Sequence, residues 1–297
     1  MQLRRLTPEH RELFNKYLRL REHELSVYAF ENIFIWKGLF EISWAVIGGQ
    51  LCIFFRDYIG AFLYLPPLGR RNDAGVAEKV FAALAGMNRN REVCRIENIE
   101  EQDRGFFEGL GLVCSRKSHD YLYNRAALAG LCGNDFKHKR SAANFFRKNY
   151  SYEYLPYRAH DRDACLSLYR KWQEERAARN TDPLYRGMLR DGLACLEIML
   201  GNYRKLCLTG RVIKSEDKVR AFTFGFKLNP QTACILYEVA DLSLKGASQF
   251  IFQSFCRELE DYKYINAMDD SGLENLKKVK LSYRPYRLVP AYIARKK

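Results

Sequence analysis

The 297-residue sequence contains no Cys-x-x-Cys, no His-x-His and no His-x-x-x-His. Zinc ribbons, thioredoxin-like redox motifs and helical zinc-enzyme motifs are therefore not indicated. Its histidines are only five, His10, His23, His119, His138 and His160, and none stands at ligand spacing from a cysteine, so no metal site is expected. A nucleophile elbow, a phosphate-binding P-loop and a dinucleotide-binding glycine fingerprint are also missing. Proline is scarce, with 8 residues, and no low-complexity tract occurs, which argues against long disordered regions. The longest apolar run, ISWAVIGGQLCIFF at 42–55, is too short to span a bilayer as a helix. Its Gly48-Gly49 pair splits it into two strands of a tight hairpin.

Nine cysteines are present, but even the nearest two, Cys195 and Cys207, are twelve apart. An odd number in a chain of this size predicts buried, reduced thiols and a cytoplasmic setting. The opening MQLRRLTPEHRELF is too charged for a secretory signal.

Apolar residues reach 47%, including 19 Tyr and 19 Phe, enough for sizeable cores over about two domains. Lys and Arg exceed Asp and Glu by 14. That excess suits phosphate-rich cofactors, RNA or an anionic membrane surface, and equally plain solubility.

Periodicity predicts helices at 8–37, 76–87 and 103–109, and strands at 40–47, 50–56, 59–65, 93–97 and 120–124. The second half repeats the order. Helices are predicted at 136–148, 161–178, 185–200, 246–261 and 273–279, with strands at 205–213, 219–227, 233–239 and 262–267. Ile96, Phe107, Leu110, Leu112 and Tyr123 lie 169 residues before Ile265, Leu276, Val279, Leu281 and Tyr292. The pattern predicts an α/β chain made by tandem duplication. The boundary falls in the small, Gly-rich AALAGLCGN, giving domains 1–130 and 131–297.

Just beyond that boundary GNDFKHKRSAANFFRKNY holds five Lys or Arg residues. On a helical wheel Lys137, Arg140, Asn144, Arg147 and Lys148 form one stripe, with Ala142, Ala143, Phe145 and Phe146 opposite. Lys139 projects with the apolar residues, so it either snorkels or meets an anion.

The segment LAGLCGNDFKHKRSAANFFRKNYSYEY is similar to a Gly-x-x-(Phe/Tyr)-x-x-Lys-Arg-Asn…Phe pattern of the DUF2156 family. That family is related to the C-terminal domain of phosphatidylglycerol lysyltransferases. LYEVAD (236–241), KGASQ (245–249), INAMDDSG (265–272) and LKKVKLSYRP (276–285) continue the resemblance. FENIFIWKG (30–38) and YLPPLG (64–69) extend it loosely into the first half. The resemblance implies two tandem GNAT-like acyltransferase domains, as in Fem-type peptidyltransferases, with mixed central sheets flanked by helices. It also implies transfer of an acyl or aminoacyl group, from charged tRNA or acyl-CoA as donor substrate, to an amine or hydroxyl. No permanently bound cofactor is implied. Ser141, Ala267-Met268 and Lys277 depart from the family's Asn, Arg-Glu and Arg.

Acyl transfer needs a held donor, an oxyanion contact and a proton acceptor. Strands 219–227 and 233–239 are expected to splay and expose backbone N–H groups. Glu238 and Asp241, at the end of an apolar strand, are candidate bases, or a turn cap and an ion pair. Tyr283 is the candidate general acid, or a packed tyrosine. Donor and substrate contacts are assigned to Lys139, Arg140, Lys245, Gly246, Gln249, Asn266, Asp270 and Lys280. Gly246 would admit a phosphate at a helix start, though the usual coenzyme A signature is matched only there. Asn266 and Asp270 are explained equally by turn chemistry. Partners on this reading are tRNA or coenzyme A phosphates, or an anionic lipid surface met peripherally. The alternative is a non-catalytic GNAT-like module that binds RNA, nucleotide or lipid, which the departures at 267–268 favour.

Overall fold

A computed structural model describes residues 2–296. Two compact units emerge. Unit 1 comprises the chain through Asp120, Asp269–Leu273, and the chain from Leu288 on. Unit 2 comprises Tyr121–Met268 and Glu274–Arg287.

The first half runs β1 (Arg4–Arg5), α1 (Arg11–Leu18), α2 (Phe30–Ile35), β2 (Glu41–Ile47), β3 (Gln50–Arg56), β4 (Ala61–Leu63), α3 (Ala74–Met87), β5 (Arg95–Glu100), α4 (Glu101–Gly109) and β6 (Val113–Asn124). The second half runs α5 (Arg125–Gly130), α6 (Lys137–Asn149), β7 (Glu153–Pro156), α7 (Arg162–Arg179), α8 (Pro183–Gly201), β8 (Thr209–Ser215), β9 (Lys218–Asn229), β10 (Thr232–Ala240), α9 (Ala247–Glu258), β11 (Tyr264–Asn266), α10 (Glu274–Leu281) and β12 (Arg287–Arg295).

From α1 to β6 the order is two helices, three strands, helix, strand, helix, strand, and α7 to β12 repeats it. The residue pairs offset by 169 fall on matching elements: Ile96 on β5 and Ile265 on β11, Tyr123 on β6 and Tyr292 on β12. In unit 1 the strand order is β1-β2-β3-β4-β5-β12, and in unit 2 it is β6-β11-β10-β9-β8-β7. Among the described residues each unit pairs antiparallel save for one parallel pair, β4 with β5 in unit 1 and β10 with β11 in unit 2. The closing strand of each repeat thus contributes to the other repeat's unit: Leu122–Asn124 of β6 pair with β11, and β12 pairs with β5. A linear division at 130/131 does not anticipate this.

The Gly-Gly hairpin is present. Ile47 faces Gln50 across the turn, and Gly48 and Gly49 both take positive φ, 57° and 79°, as a type I′ turn requires. Behind β3, β4 and β5, α3 buries Val80, Phe81 and Leu84 against Phe54, Leu63 and Ile96. Asp73 caps that helix by accepting the Val76 N–H at 3.0 Å.

The helix expected over 8–37 is broken between Leu18 and Phe30. The intervening loop is partly buried, so its amide groups need partners. Acidic side chains supply them. Glu100 Oε1 accepts the Glu24 N–H at 2.8 Å, and Asp120 Oδ2 accepts the Ser26 N–H at 2.6 Å. Those carboxylates lie 76 and 94 residues away in sequence, beyond the reach of a periodicity argument.

The basic segment forms α6 as expected. Ala143 and Phe146 are fully buried, and Phe146 packs on Phe250 of α9 and on Tyr150 and Tyr152. Burial of that one ring stabilises unit 2 by about 2–3 kcal/mol. Phe145, assigned to the apolar side, is instead 37% exposed, with Lys245 Nζ 4.7 Å from its ring centroid. Strand β6 begins at Val113 and not at 120, and β1, α5, β7 and β12 are additional elements. All nine cysteines are free, and Cys132 and Cys207 are exposed where burial was expected.

Candidate functional site

The expected splay between 219–227 and 233–239 is absent. β9 and β10 remain paired from Thr232↔Asn229 to Ala240↔Ala221, with irregularities at Thr232/Ala233 and Ile235/Tyr237. The opening lies on the other edge of β10. β11 runs parallel to β10 only from Thr232↔Tyr264 to Cys234↔Asn266. It then peels away because its end is held elsewhere. The Ala267 N–H donates to Tyr121 O at 3.0 Å, and the Met268 N–H donates to Asn266 Oδ1 at 2.7 Å. Lys280 Nζ donates to the carbonyls of Ala267 and Met268, at 2.5 and 3.2 Å. Met268 takes φ 60°, a left-handed turn conformation costing an unbranched side chain about 1 kcal/mol.

Residues 235–240 of β10 therefore extend past the end of β11. Asp241 N–H donates to Arg220 O on the β9 side at 2.8 Å. Antiparallel alternation then directs Tyr237 and Val239 toward β9, and aims the N–H groups of Glu238 and Ala240 at the edge β11 has vacated. Backbone donors at such an edge are suited to an acyl oxygen that gains negative charge.

The side chains around this edge converge from four elements. Glu238 Oε1 accepts from Ser248 Oγ of α9 at 3.1 Å. Glu238 as a whole is half-buried, but its Oε2 is sealed and has no hydrogen-bond partner. Loss of water at that carboxyl pushes it up to about 8, against the smaller opposing effect of the Ser248 hydroxyl. Tyr283, just after α10, is buried, and its ring meets Phe252 of α9 at 4.8 Å. Burial first, and then the Glu238 charge, raises the Tyr283 phenol far above its ordinary value. It is a hydrogen-bond donor at any physiological pH. Lys139 of α6 reaches across, with Nζ 4.4 Å from the Tyr283 ring centroid. It is half-buried, and desolvation lowers its ammonium below the usual lysine range. The apolar-side lysine thus ends on an aromatic face.

Sequence reasoning assigned no role to Ser248, Phe252 and Cys256. They recur every four residues along α9, one stripe of a helix. Burial and then the Glu238 charge raise the Cys256 thiol, so it stays protonated and unreactive beside the carboxyl. That four-residue recurrence was the available signal.

The remaining candidates are placed as follows. Asp241 is buried and fully engaged. Its Oδ1 accepts from Ser243 Oγ at 2.7 Å and Lys171 Nζ at 3.0 Å, and its Oδ2 from Arg220 Nη1 at 3.1 Å. Burial alone would raise this carboxyl, but the Ser243 and Lys171 contacts outweigh it and hold it at about 2. Such a weak base suits an anchor for the end of β10. Arg140 spends Nη1 on the carbonyls of Leu131 and Gly133. Gly246 has φ 86°, and a Cβ there would lie 2.0 Å from Ala142 O. The close approach its glycine permits is thus taken up by α6 itself. Lys245 is exposed and Gln249 half-buried at the start of α9. Asn266 and Lys280 hold the turn after β11, as described above. Asp270 belongs to unit 1, where its Oδ1 accepts the Gly272 N–H at 3.0 Å.

Unit 1 has a parallel pair at the same place in its repeat, Leu63↔Ile96, but its gap is filled from within. Asn98 Nδ2 donates to Tyr64 O at 2.8 Å, Tyr28 Oη donates to Asn98 O at 2.8 Å, and Lys117 Nζ meets Asn98 Oδ1 at 2.9 Å. The open edge beside a desolvated carboxyl is a feature of unit 2.

Among the described residues, no group of three His, Cys, Asp or Glu side chains is arranged to hold a metal ion. No described helix is long and apolar enough to cross a membrane.

The family profile "Phosphatidylglycerol lysyltransferase, C-terminal" matches residues 18–295. A crystal structure of a conserved protein of unknown function from Bacteroides thetaiotaomicron is 27% identical, covers 100% of both chains and superposes with a TM-score of 0.88. L-PGS from Bacillus licheniformis is 15% identical over 96% of this chain and 91% of that one, with a TM-score of 0.63. A tandem GNAT protein from the clavulanic acid biosynthesis pathway is 9% identical over 98% of this chain and 97% of that one, with a TM-score of 0.51. No curated protein matches. The fold is the tandem GNAT-like acyltransferase fold, and the chain belongs to the phosphatidylglycerol lysyltransferase C-terminal family, whose kinship supports an acyl- or aminoacyl-transferase-like function.

Proposed function

We propose that this member of the phosphatidylglycerol lysyltransferase C-terminal family transfers an acyl or aminoacyl group to an amine or hydroxyl acceptor at the open edge of β10 in unit 2. The observation that carries the reading is Glu238. It is a carboxyl raised to about 8 with a sealed, unpartnered oxygen, beside backbone N–H groups that no β11 residue faces.

In this mechanism the donor's carbonyl oxygen lies against the N–H groups of Glu238 and Ala240, which stabilise the oxyanion as the acceptor attacks. Glu238 takes the proton from the attacking amine or hydroxyl. A base with a pKa near 8 accepts that proton far more readily than an ordinary carboxylate would. Tyr283, held protonated, donates to the leaving oxygen or sulfur. Lys139 sits on the Tyr283 ring and offers positive charge to the donor's phosphate end. Exposed Lys137, Arg147, Lys148 and Lys245 on α6 and at the start of α9 supply the wider cationic surface for a tRNA or coenzyme A donor, or for an anionic lipid. Asp241 positions the end of β10 and takes no proton.

Single-turnover transfer with radiolabelled aminoacyl-tRNA or acetyl-CoA tests this. Glu238→Gln is expected to slow transfer by about 10²–10⁴ while leaving donor affinity unchanged. Tyr283→Phe is expected to slow it with either donor. Unchanged rates in both variants would remove the two residues from the mechanism. Saturable donor binding without turnover would favour the non-catalytic binding module.

A further inference from the structure

The two oxygens of the Glu238 carboxyl are placed differently. Oε2 is sealed from water and has no hydrogen-bond partner. Oε1 is met by Ser248 Oγ at 3.1 Å. A proton that enters this carboxyl therefore enters at Oε1, where a hydroxyl already stands.

Ser248 is suited to hand that proton on. It lies in the first turn of α9, two residues after Gly246, and it is exposed where Glu238 is half-buried. Among the described residues its hydroxyl makes no other hydrogen bond. A serine hydroxyl has one proton to give and two lone pairs to receive with. Oγ can thus accept from an attacking N–H or O–H on its exposed side while it donates to Glu238 Oε1. The first turn of a helix also carries N–H groups without intrahelical acceptors, and positive partial charge. Both favour negative charge on Oγ as its own proton leaves.

We propose that Ser248 is a catalytic residue that relays the acceptor's proton to Glu238. The relay rests on the transfer reading of the open edge given above. As the acceptor's nitrogen or oxygen bonds to the donor's carbonyl carbon, its proton passes to Ser248 Oγ, and the serine's own proton passes to Glu238 Oε1. The carbon's bond to the leaving oxygen or sulfur then breaks, and the leaving atom takes the Tyr283 proton. The serine ends unchanged. Between turnovers Glu238 gives its proton to solvent and Tyr283 regains one.

Single-turnover transfer by the full chain tests this with Ser248→Ala, Ser248→Thr and Glu238→Gln. Ser248→Ala is expected to slow transfer about 10-fold to 10²-fold at unchanged donor affinity, since water in place of the hydroxyl takes over part of the relay. Ser248→Thr, which keeps the hydroxyl, is expected to restore most of the rate. The Ser248 hydroxyl also lowers the Glu238 carboxyl, so in Ser248→Ala the rise of kcat/KM should move to higher pH. The dependence of the rate on the deuterium fraction of the solvent should be bowed in the wild type, where protons move together, and closer to linear in Ser248→Ala. A merely structural serine would leave that curvature unchanged. Wild-type rate and curvature in Ser248→Ala, with Glu238→Gln slowed, would overturn the relay and leave the transfer reading standing. A stable ester on Ser248, found by mass spectrometry after mixing with donor alone, would overturn it by making the serine a nucleophile. No transfer by the wild type from aminoacyl-tRNA or acetyl-CoA would remove the transfer reading and the relay with it.

Discussion

Glu238 and Asp241 stand three residues apart on one strand end, and their surroundings drive them in opposite directions. Glu238 has one hydroxyl donor and a sealed oxygen, so its neutral form is favoured. Asp241 has Ser243, Lys171 and Arg220, so its ion is favoured. The signs of their pH dependence differ accordingly. Glu238, raised to about 8, gives stability that is complete at acid pH and is lost as pH climbs from the ordinary carboxyl range through about 8. Glu238→Gln should flatten that decline, read as melting temperature between pH 5 and 9. Asp241, held at about 2, gives stability present at neutral pH and lost as pH falls from the ordinary aspartate range through about 2. Asp241→Asn should cost about 2 kcal/mol at pH 7, because it weakens charge-assisted bonds to two cations. Urea denaturation measures this, and a cost near zero would show that the cluster is not an anchor. In catalysis, kcat/KM should rise with pH through about 8 if Glu238 is the base, and the rising limb should vanish in Glu238→Gln.

At the scale of elements, the contact between α6 and α9 fixes the site's floor. It depends on Gly246. A methyl at that position meets the Ala142 carbonyl and also requires φ 86°. Gly246→Ala should destabilise the protein by about 3 kcal/mol through strain and displacement of α9, measurable as a lowered denaturation midpoint. Gly246→Ala at wild-type stability would mean that α6 and α9 do not meet so closely. This glycine also shows what was legible in sequence. KGASQ marks a helix start, and the glycine stands where a close approach occurs. But a glycine's spacing does not say whether the approaching group is a phosphate or a neighbouring carbonyl. The order of elements, the Gly-Gly hairpin, the amphipathic α6 and the 169-residue offset were all readable, because each rests on local periodicity or turn chemistry. The break between α1 and α2 was not, since its cause is carboxylates on distant β5 and β6. The location of the open edge was not readable either. It depends on how few residues β11 pairs with, and that is decided by the turn that Lys280 clamps.

At the scale of the molecule, the two repeats have different centres. In unit 1 Asn98, Tyr28 and Lys117 fill the gap beside the parallel strands, while in unit 2 the same place is lined by Glu238, Ser248, Tyr283 and Lys139. On the proposed mechanism, all the chemistry lies in one repeat. The net charge of +14 makes donor choice testable through salt. An RNA donor held through phosphates should lose affinity steeply as salt rises, whereas a coenzyme A thioester should lose much less. The most direct measurement is single-turnover transfer from radiolabelled aminoacyl-tRNA and from acetyl-CoA to an amine acceptor, comparing wild type with Glu238→Gln and with Asn98→Ala. The account predicts transfer from one of the two donors, a loss of about 10² or more in Glu238→Gln at unchanged donor affinity, and near wild-type rates in Asn98→Ala. Equal rates for wild type and Glu238→Gln would contradict it.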